Sequence, residues 1–494
     1  MVFSSTIFLF AFLPITLCGY YLLDRRFKNG FLLLMSLLFY AWGEPKFVFV
    51  MIGSILVNYF FALLIDRNLK QAEKLSEYTT GQQYKGRAKA YLVLMVAANL
   101  SLFFVYKYLD FAIRNINTLG GLLGAQPIPL RNITLPIGIS FFTFQAMSYV
   151  FDVYNRKGEV QKNPLNAALY VAFFPQLIAG PIVRYETVAK EIRFRKENLP
   201  DFSAGVKRFV IGLAKKVIIS NSVAIIADRA FGYTDFSELS VAFAWLGSIS
   251  YTLQIYYDFS GYSDMAIGLG LMFGFHFDEN FNYPYVSKSV SEFWRRWHIS
   301  LGSWFRDYVY IPLGGSRVGS KRRHIFNLLV VWLLTGLWHG AAWHFVAWGL
   351  FYFALLVMEK LCNIPGRFKS GVGQRLYQVF TLLMVNFGWV LFRANGLKAA
   401  AGYLGCMFGL MGNQVGDAAA TFLAGQGLIL FVIAVLFSTP VALKLRKLLD
   451  KRSMGNGAVI GRELVTLSLY LVIFIVAVSF TVTSTYNPFI YFNF

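Results

Sequence analysis

Acid, cysteine and histidine are all scarce in this chain. Its 494 residues hold 25 Asp and Glu against 46 Lys and Arg, with three cysteines and five histidines, and only 14% are charged, far below the roughly 25% of soluble domains. So few charges exclude an ordinary globular surface, and no composition shift marks the start of a sizeable water-soluble domain. Cys18, Cys362 and Cys406 are too few and too scattered for a disulfide framework. Neither CxxC nor HExxH occurs, which argues against a structural zinc site. "GLGLMFG" at 268–274 follows no strand and misses the GxGxxG spacing. "IPLGGSR" at 311–317 lacks the Lys-Ser/Thr of a P-loop, so nothing points to ATP.

What is present is apolar: 57% of residues are hydrophobic, in runs that recur from end to end. Runs of about 15–22 residues suffice for helices across a bilayer core about 30 Å thick. The pattern predicts an all-α polytopic membrane protein with crossings near 7–23, 31–42, 47–65, 91–113, 133–151, 209–227, 243–275, 325–339, 341–359, 377–392, 427–443 and 464–483. The segment at 243–275 exceeds one span and reads as a tilted helix or one broken near Gly261. No internal repeat is visible, which weighs against a transporter built from inverted repeats.

The net charge of +21 does not indicate nucleic acid, because the basic residues are spread over loops rather than gathered on one stripe. Topology accounts for them. With the N-terminus outside, the loops at 24–30, 66–90, 152–168, 184–208, 276–324, 360–376 and 444–463 face the cytoplasm and carry 37 of the 46 Lys and Arg. Helix parity then requires 165–183 and 291–313 to dip into the membrane without crossing, as irregular backbone does where protein or water lines it. The opening "MVFSSTIFLFAFLPITLCGYYLLDRRFK" has no cation before its apolar run and three after it, the pattern of a first helix with its N-terminus outside rather than of a cleaved signal.

Ionisable groups inside a membrane are costly and are candidates for function. They reduce to Asp258, Asp264, His298, Arg306, Asp307 and His339, while His276, His324 and His344 lie in or beside loops or on other helix faces. In "TGLWHGAAWHF" at 335–345, His339 and His344 are five apart, whereas ligands sharing one ion want spacing of three or four, so no metal site is expected. Two readings of His339 stay open at this point. It is a general base, held neutral by its apolar surround and able to take a proton from a hydroxyl; or it is a hydrogen-bonded bundle residue within an aromatic belt. Around His298, "SEFWRRWHISLGSWFRDYVYIPLGG" at 291–315 mixes bulky aromatics with Arg295, Arg296 and Arg306. That composition suits an amphipathic interfacial anchor, or a basic mouth that receives an anionic acyl donor.

"LPIGISFFTFQAMSYVFDVYNR" at 135–156, "FFPQLIAGPIVRY" at 173–185, "YDFSGYSDMAIGLGLMFGF" at 257–275, "FWRRWHISLGSWFRDYVYIPLGGSR" at 293–317, "GLWHGAAWHFVAWG" at 336–349 and the ending "NPFIYFNF" together resemble the membrane-bound O-acyltransferases. The nearest branch is that of the bacterial alginate O-acetyltransferase membrane subunits. The resemblance implies that His339 matches the active-site histidine and His298 the second characteristic polar position. It implies one membrane domain over 1–494, with core motifs at 133–359 and further helices at 377–494. The family fold is a ring of about 11–12 tilted helices with re-entrant segments around a central tunnel. The implied activity is transfer of an acetyl group from cytoplasmic acetyl-coenzyme A towards an exported or cell-surface polysaccharide, at the bacterial inner membrane. A periplasmic partner of the SGNH-hydrolase-like type is implied in trans. Arg295, Arg296 and Arg306 would then line the donor's way in, and no bound cofactor or metal is expected.

Three alternatives bear on this. D-alanyl transfer to teichoic acid shares the histidine motifs, and the long C-terminal region at 377–494 favours the acetyltransferase branch over it. A transporter or flippase would need midplane carboxylates in paired broken helices, and Asp258 and Asp264 have no matching segment. A scaffold recruiting a periplasmic enzyme would lack turnover of its own.

Overall fold

In the computed structural model the described residues are helical and connecting, with no strand among them. The structure describes residues 1–75, 79–368, 370–444, 456–484, 486–488 and 490, the side chains of 456–460 excepted. Most of the basic loop at 444–463 and the close of the "NPFIYFNF" ending therefore lie outside the described residues. The chain folds as two compact units, residues 1–206 with 266–278 and residues 207–265 with 279–494.

The first unit holds α1 (Phe8–Leu22), α2 (Arg25–Gly43), α3 (Phe47–Lys74), α4 (Thr79–Gly121), α5 (Ile139–Tyr154), α6 (Pro164–Ala172) and α7 (Tyr185–Phe194). The start of α6 follows from its sequence. Asn163 caps it by accepting from the Leu165 N–H, and Pro164 takes the first position, where its missing donor costs nothing. α3 packs on α4 and α5. Between α3 and α4, buried Asn58 and Asn99 exchange two amide hydrogen bonds of 3.0 Å, satisfying polar groups that lipid could not. Phe3, Phe8, Phe12, Phe39 and Phe174 form an aromatic knot between the N-terminal segment, α2 and the segment after α6.

α8 (Leu199–Phe231) and α9 (Val241–Met272) each contribute residues to both units. α9 is continuous through Gly261, so the long segment is one helix and not a broken pair. The second unit adds α10 (Val290–Arg296), α11 (Ile299–Phe305), α12 (Lys321–His339), α13 (Trp343–Cys362), α14 (Gly371–Arg393), α15 (Leu397–Met407), α16 (Ala418–Phe437) and α17 (Asn456–Thr483). Side-chain caps open three of these: Ser289 for α10, Ser370 for α14 and Asp417 for α16. The stretch expected to dip at 291–313 is indeed irregular, two short helices separated by His298 in a left-handed conformation, φ 45°.

Among the described residues seven helices are long and apolar enough to cross a membrane, α3, α4, α8, α13, α14 and α16 among them. α16 and residues 461–483 of α17 bury little of their apolar surface within the chain, as helices that face lipid do. The protein is a multi-pass membrane protein.

The tail of the chain is built into the second unit. Lys216 on α8 pairs with Asp258 on α9 at 2.5 Å, and both side chains are almost fully buried. The Ile490 N–H donates to the other Asp258 oxygen at 3.0 Å, and Lys216 donates to the Pro488 carbonyl. Asn487 meets Asn221 at 3.2 Å, and the Tyr486 hydroxyl donates to Asp228.

Candidate active site

The site is assembled in the second unit by the α12–α13 hairpin. α12 ends at His339, three residues turn the chain with Gly340 and Ala342 extended, and α13 begins at Trp343. Glycines let the two helices touch. A Cβ on Gly336 would stand 2.5 Å from the Phe345 carbonyl oxygen, and one on Gly349 would stand 2.4 Å from that of Trp332. Any larger residue would force the helices apart. Their contact brings the Trp348 ring to 5.0 Å from the His339 ring.

His339 is 5% exposed and is caged by aromatic rings. Trp338, Trp348 and Phe392 of α14 each lie 5.0 Å away, all nearly perpendicular to the imidazole. Beyond Trp348 stand Trp294, Trp332 and Tyr352, with Trp294 at 4.8 Å from Tyr352 and 5.5 Å from Trp348. The Tyr352 hydroxyl and the indole N–H groups of Trp294 and Trp348 are buried without a hydrogen bond to any described residue. Buried donors without a partner are uncommon in folded proteins.

His298 is 2% exposed and is held by a polar chain. Asn280 Oδ1 accepts from the Ser300 backbone N–H at 3.2 Å and from its hydroxyl at 2.9 Å, while Asn280 Nδ2 donates to Ser263 Oγ at 3.0 Å. With the amide oriented in this way, the His298 Nδ1 3.1 Å from Asn280 Oδ1 must be the protonated nitrogen. His298 Nε2 is left with its lone pair and no hydrogen-bond partner among the described residues. The Trp338 ring lies 6.0 Å from His298 and 5.0 Å from His339, so both histidines stand around one indole.

The segment carrying His298 is fixed from α13. Glu359, 3% exposed, accepts from the backbone N–H groups of Val290 and Ser291 at 2.7 and 2.8 Å and from the Tyr377 hydroxyl at 2.7 Å. A carboxylate there satisfies donors that the start of α10 would otherwise leave bare. Sequence reasoning passed over Glu359 and Asn280. Glu359 carried a signal, a lone acid in the apolar run "FALLVMEKLC"; Asn280, in a polar loop, carried none.

The three arginines expected at a basic mouth differ in their surroundings. Arg296 is committed inward, to Glu292 at 2.8 Å and the Asn282 carbonyl at 3.0 Å. Arg306 is exposed and holds Asp307 at 2.7 Å. Arg295 is exposed and has no carboxylate partner among the described residues. His344 is only partly buried, and its ring lies against Phe345 at 4.1 Å. Asp258 and Asp264 are both neutralised, Asp258 by Lys216 and Asp264 by Arg208 at 2.8 Å and Lys215 at 2.6 Å.

Residues 55–391 match the sequence model of the MBOAT, or membrane-bound O-acyltransferase, family. The chain is 38% identical to the probable alginate O-acetylase of Pseudomonas putida over the whole of both proteins. It is 37% identical to the peptidoglycan O-acetyltransferase of Helicobacter pylori over 83% of this chain and 80% of that one. Similarity to the teichoic acid D-alanyltransferase of Bacillus subtilis is lower, 28% over 53% of this chain and 69% of the relative.

Proposed function

Since the chain belongs to the membrane-bound O-acyltransferase family and is an acyltransferase, we propose that it moves an acetyl group from acetyl-coenzyme A to a hydroxyl on the way to a cell-surface polysaccharide, with His339 as the general base. The observation that carries this reading is the burial of His339 and His298 on either hand of the Trp338 ring, at 5.0 and 6.0 Å, within a largely aromatic surround. The names of the full-length relatives support acetyl over D-alanyl as the group moved. The unbroken α9 and the ion-paired Asp258 and Asp264 speak against a carrier that works by exposing midplane carboxylates.

In this mechanism the thioester comes from the cytoplasmic side past Arg295, Arg296, Arg306 and His298. His339 takes the proton of the acceptor hydroxyl as its oxygen attacks the thioester carbonyl. The carbon–sulfur bond then breaks, and the proton is returned to the thiolate, leaving free coenzyme A and the acetyl ester. The oxyanion that forms between those steps takes its hydrogen bonds from indole N–H groups of the cage, Trp348 foremost, whose N–H is buried without a partner among the described residues. The acceptor is a sugar hydroxyl or the serine of a periplasmic SGNH-hydrolase-like partner. The protein sits in the bacterial inner membrane with its N-terminus outside.

The test is release of free thiol from acetyl-coenzyme A by the purified chain in lipid. His339→Ala should lower turnover by at least the roughly 10²- to 10⁴-fold that general-base catalysis supplies, with an unchanged elution profile and helicity. An active His339→Ala variant would sink the assignment of the base. A wild-type chain that stays silent with acceptor and partner present would sink the transfer itself.

A further inference from the structure

A groove of about 900 Å³, lined by neither histidine, opens on the first unit between the start of α2, the start of α6 and the end of α7. Two kinds of residue line it. Arg25, Arg26 and Arg193 stand among its lining residues, while Leu34, Leu165 and Phe194, all large and more than half exposed, make its wall.

The cations differ in what they already hold. Arg193 is engaged by Glu159 at 3.0 Å. Lys28, close by in sequence, turns inward to Glu197 at 3.2 Å, over the Tyr20 ring. Arg25 has no carboxylate among the described residues, and its one hydrogen bond is to the Arg193 carbonyl at 3.3 Å. Arg26 reaches Asp24 only at 3.9 Å, with both side chains about three-quarters exposed. The first turn of α2 contains no acid, so these guanidiniums oppose the helix dipole rather than serve it. Two exposed guanidiniums, Arg26 lying over the Phe27 ring at 4.7 Å and neither held by a carboxylate closer than 3.9 Å, stand beside an apolar trough, and together they fit one kind of molecule: a phosphodiester to which acyl chains are attached.

The shape agrees. Arg26, Gly30 and Leu34 follow at four-residue spacing along one face of α2, which puts Leu34 about 12 Å beyond Arg26 at 1.5 Å per residue. That offset matches a headgroup phosphate and the first part of an acyl chain. Between them Gly30 leaves the helix surface bare: a Cβ built on it would meet no atom within 4 Å.

We propose that this groove binds an anionic phospholipid of the surrounding leaflet, with Arg25 and Arg26 on the phosphate and the acyl chains along Leu34, Leu165 and Phe194. The site is independent of acyl transfer, and it takes lipid rather than free phosphate because half of its contact is with chains.

The experiment is native mass spectrometry of the full chain in neutral detergent, titrated with phosphatidylglycerol, with phosphatidylcholine of the same chains, and with inorganic phosphate as competitor. Phosphatidylglycerol should bind at least about 10-fold more tightly than phosphatidylcholine. Arg25→Gln with Arg26→Gln should weaken it by roughly 30-fold, the loss expected for two cations facing an anionic lipid. Gly30→Phe keeps both charges, and its Cβ meets no atom within 4 Å, so the variant should fold, as its elution profile and helicity would check, and yet lose the lipid by filling the trough. Equal affinity for the two lipids, or full binding by both variants, would overturn the proposal. Displacement of the lipid by equimolar inorganic phosphate would overturn it too, in favour of a plain phosphate site.

Discussion

His276 shows how a single residue ties stability to pH. It lies outside the apolar spans, with Nδ1 2.7 Å from Glu191 and Nε2 3.2 Å from Asp201. Partial burial lowers its pKa, and the two carboxylates more than reverse this, so that it lies above the ordinary 6.5. A histidine whose pKa rises on folding contributes stability that is fully present below about 6.5 and fades as pH climbs through the folded value. The thermal midpoint of the protein in lipid should therefore decline slightly from pH 6 to pH 8, and His276→Gln should remove that part of the decline. The effect is small, because the ring is half exposed and solvent screens the pair. Asn280 governs a more consequential proton. Asn280→Ala would strip the acceptor from His298 Nδ1 and from Ser300, losses worth about 1–3 kcal/mol for each buried donor left bare. Under the proposed mechanism its kcat should fall by roughly 5- to 150-fold, with KM for acetyl-coenzyme A little changed.

At the scale of the helices, sequence reading and structure part company for identifiable reasons. Apolar runs show where helices lie, because only helices satisfy the backbone in lipid, and each expected crossing has a helix over it. The hairpin "TGLWHGAAWHF" was legible, because a histidine in so apolar a run has few uses. Which arginines face outward was only partly so. Glu292 and Arg296 are i,i+4 neighbours, a pairing visible in the sequence. The Asn280 chain was not legible, since it joins residues of three separate segments, and a lone polar residue in a loop carries no periodicity. The α8–α9 crossing holds a pair that sequence alone could not match, Lys216 with Asp258. Lys216→Met should cost about 3–5 kcal/mol by leaving Asp258 buried and uncompensated. Lys216→Met with Asp258→Leu should recover most of that, as read from the thermal midpoint.

For the whole molecule the proposed topology makes a sharp claim. Cys362, exposed at the end of α13, belongs to the 360–376 loop assigned to the cytoplasm, and Cys406 is buried. A membrane-impermeant maleimide should label Cys362 in inside-out vesicles and not in intact right-side-out ones. Labelling in right-side-out vesicles would invert the assignment of every loop that shares its parity.

The buried pair between α8 and α9 also has a history in time. Asp258 takes one hydrogen bond from the Ile490 backbone, 232 residues later in the chain. At roughly 5–20 residues per second of synthesis, that donor follows about 10–50 s behind. The second unit therefore cannot reach its final packing while it is being threaded into the bilayer. Its last step waits until Ile490 has been made, and a ribosome that stalls within α17 leaves a membrane protein whose earlier helices are in place and whose core is still open.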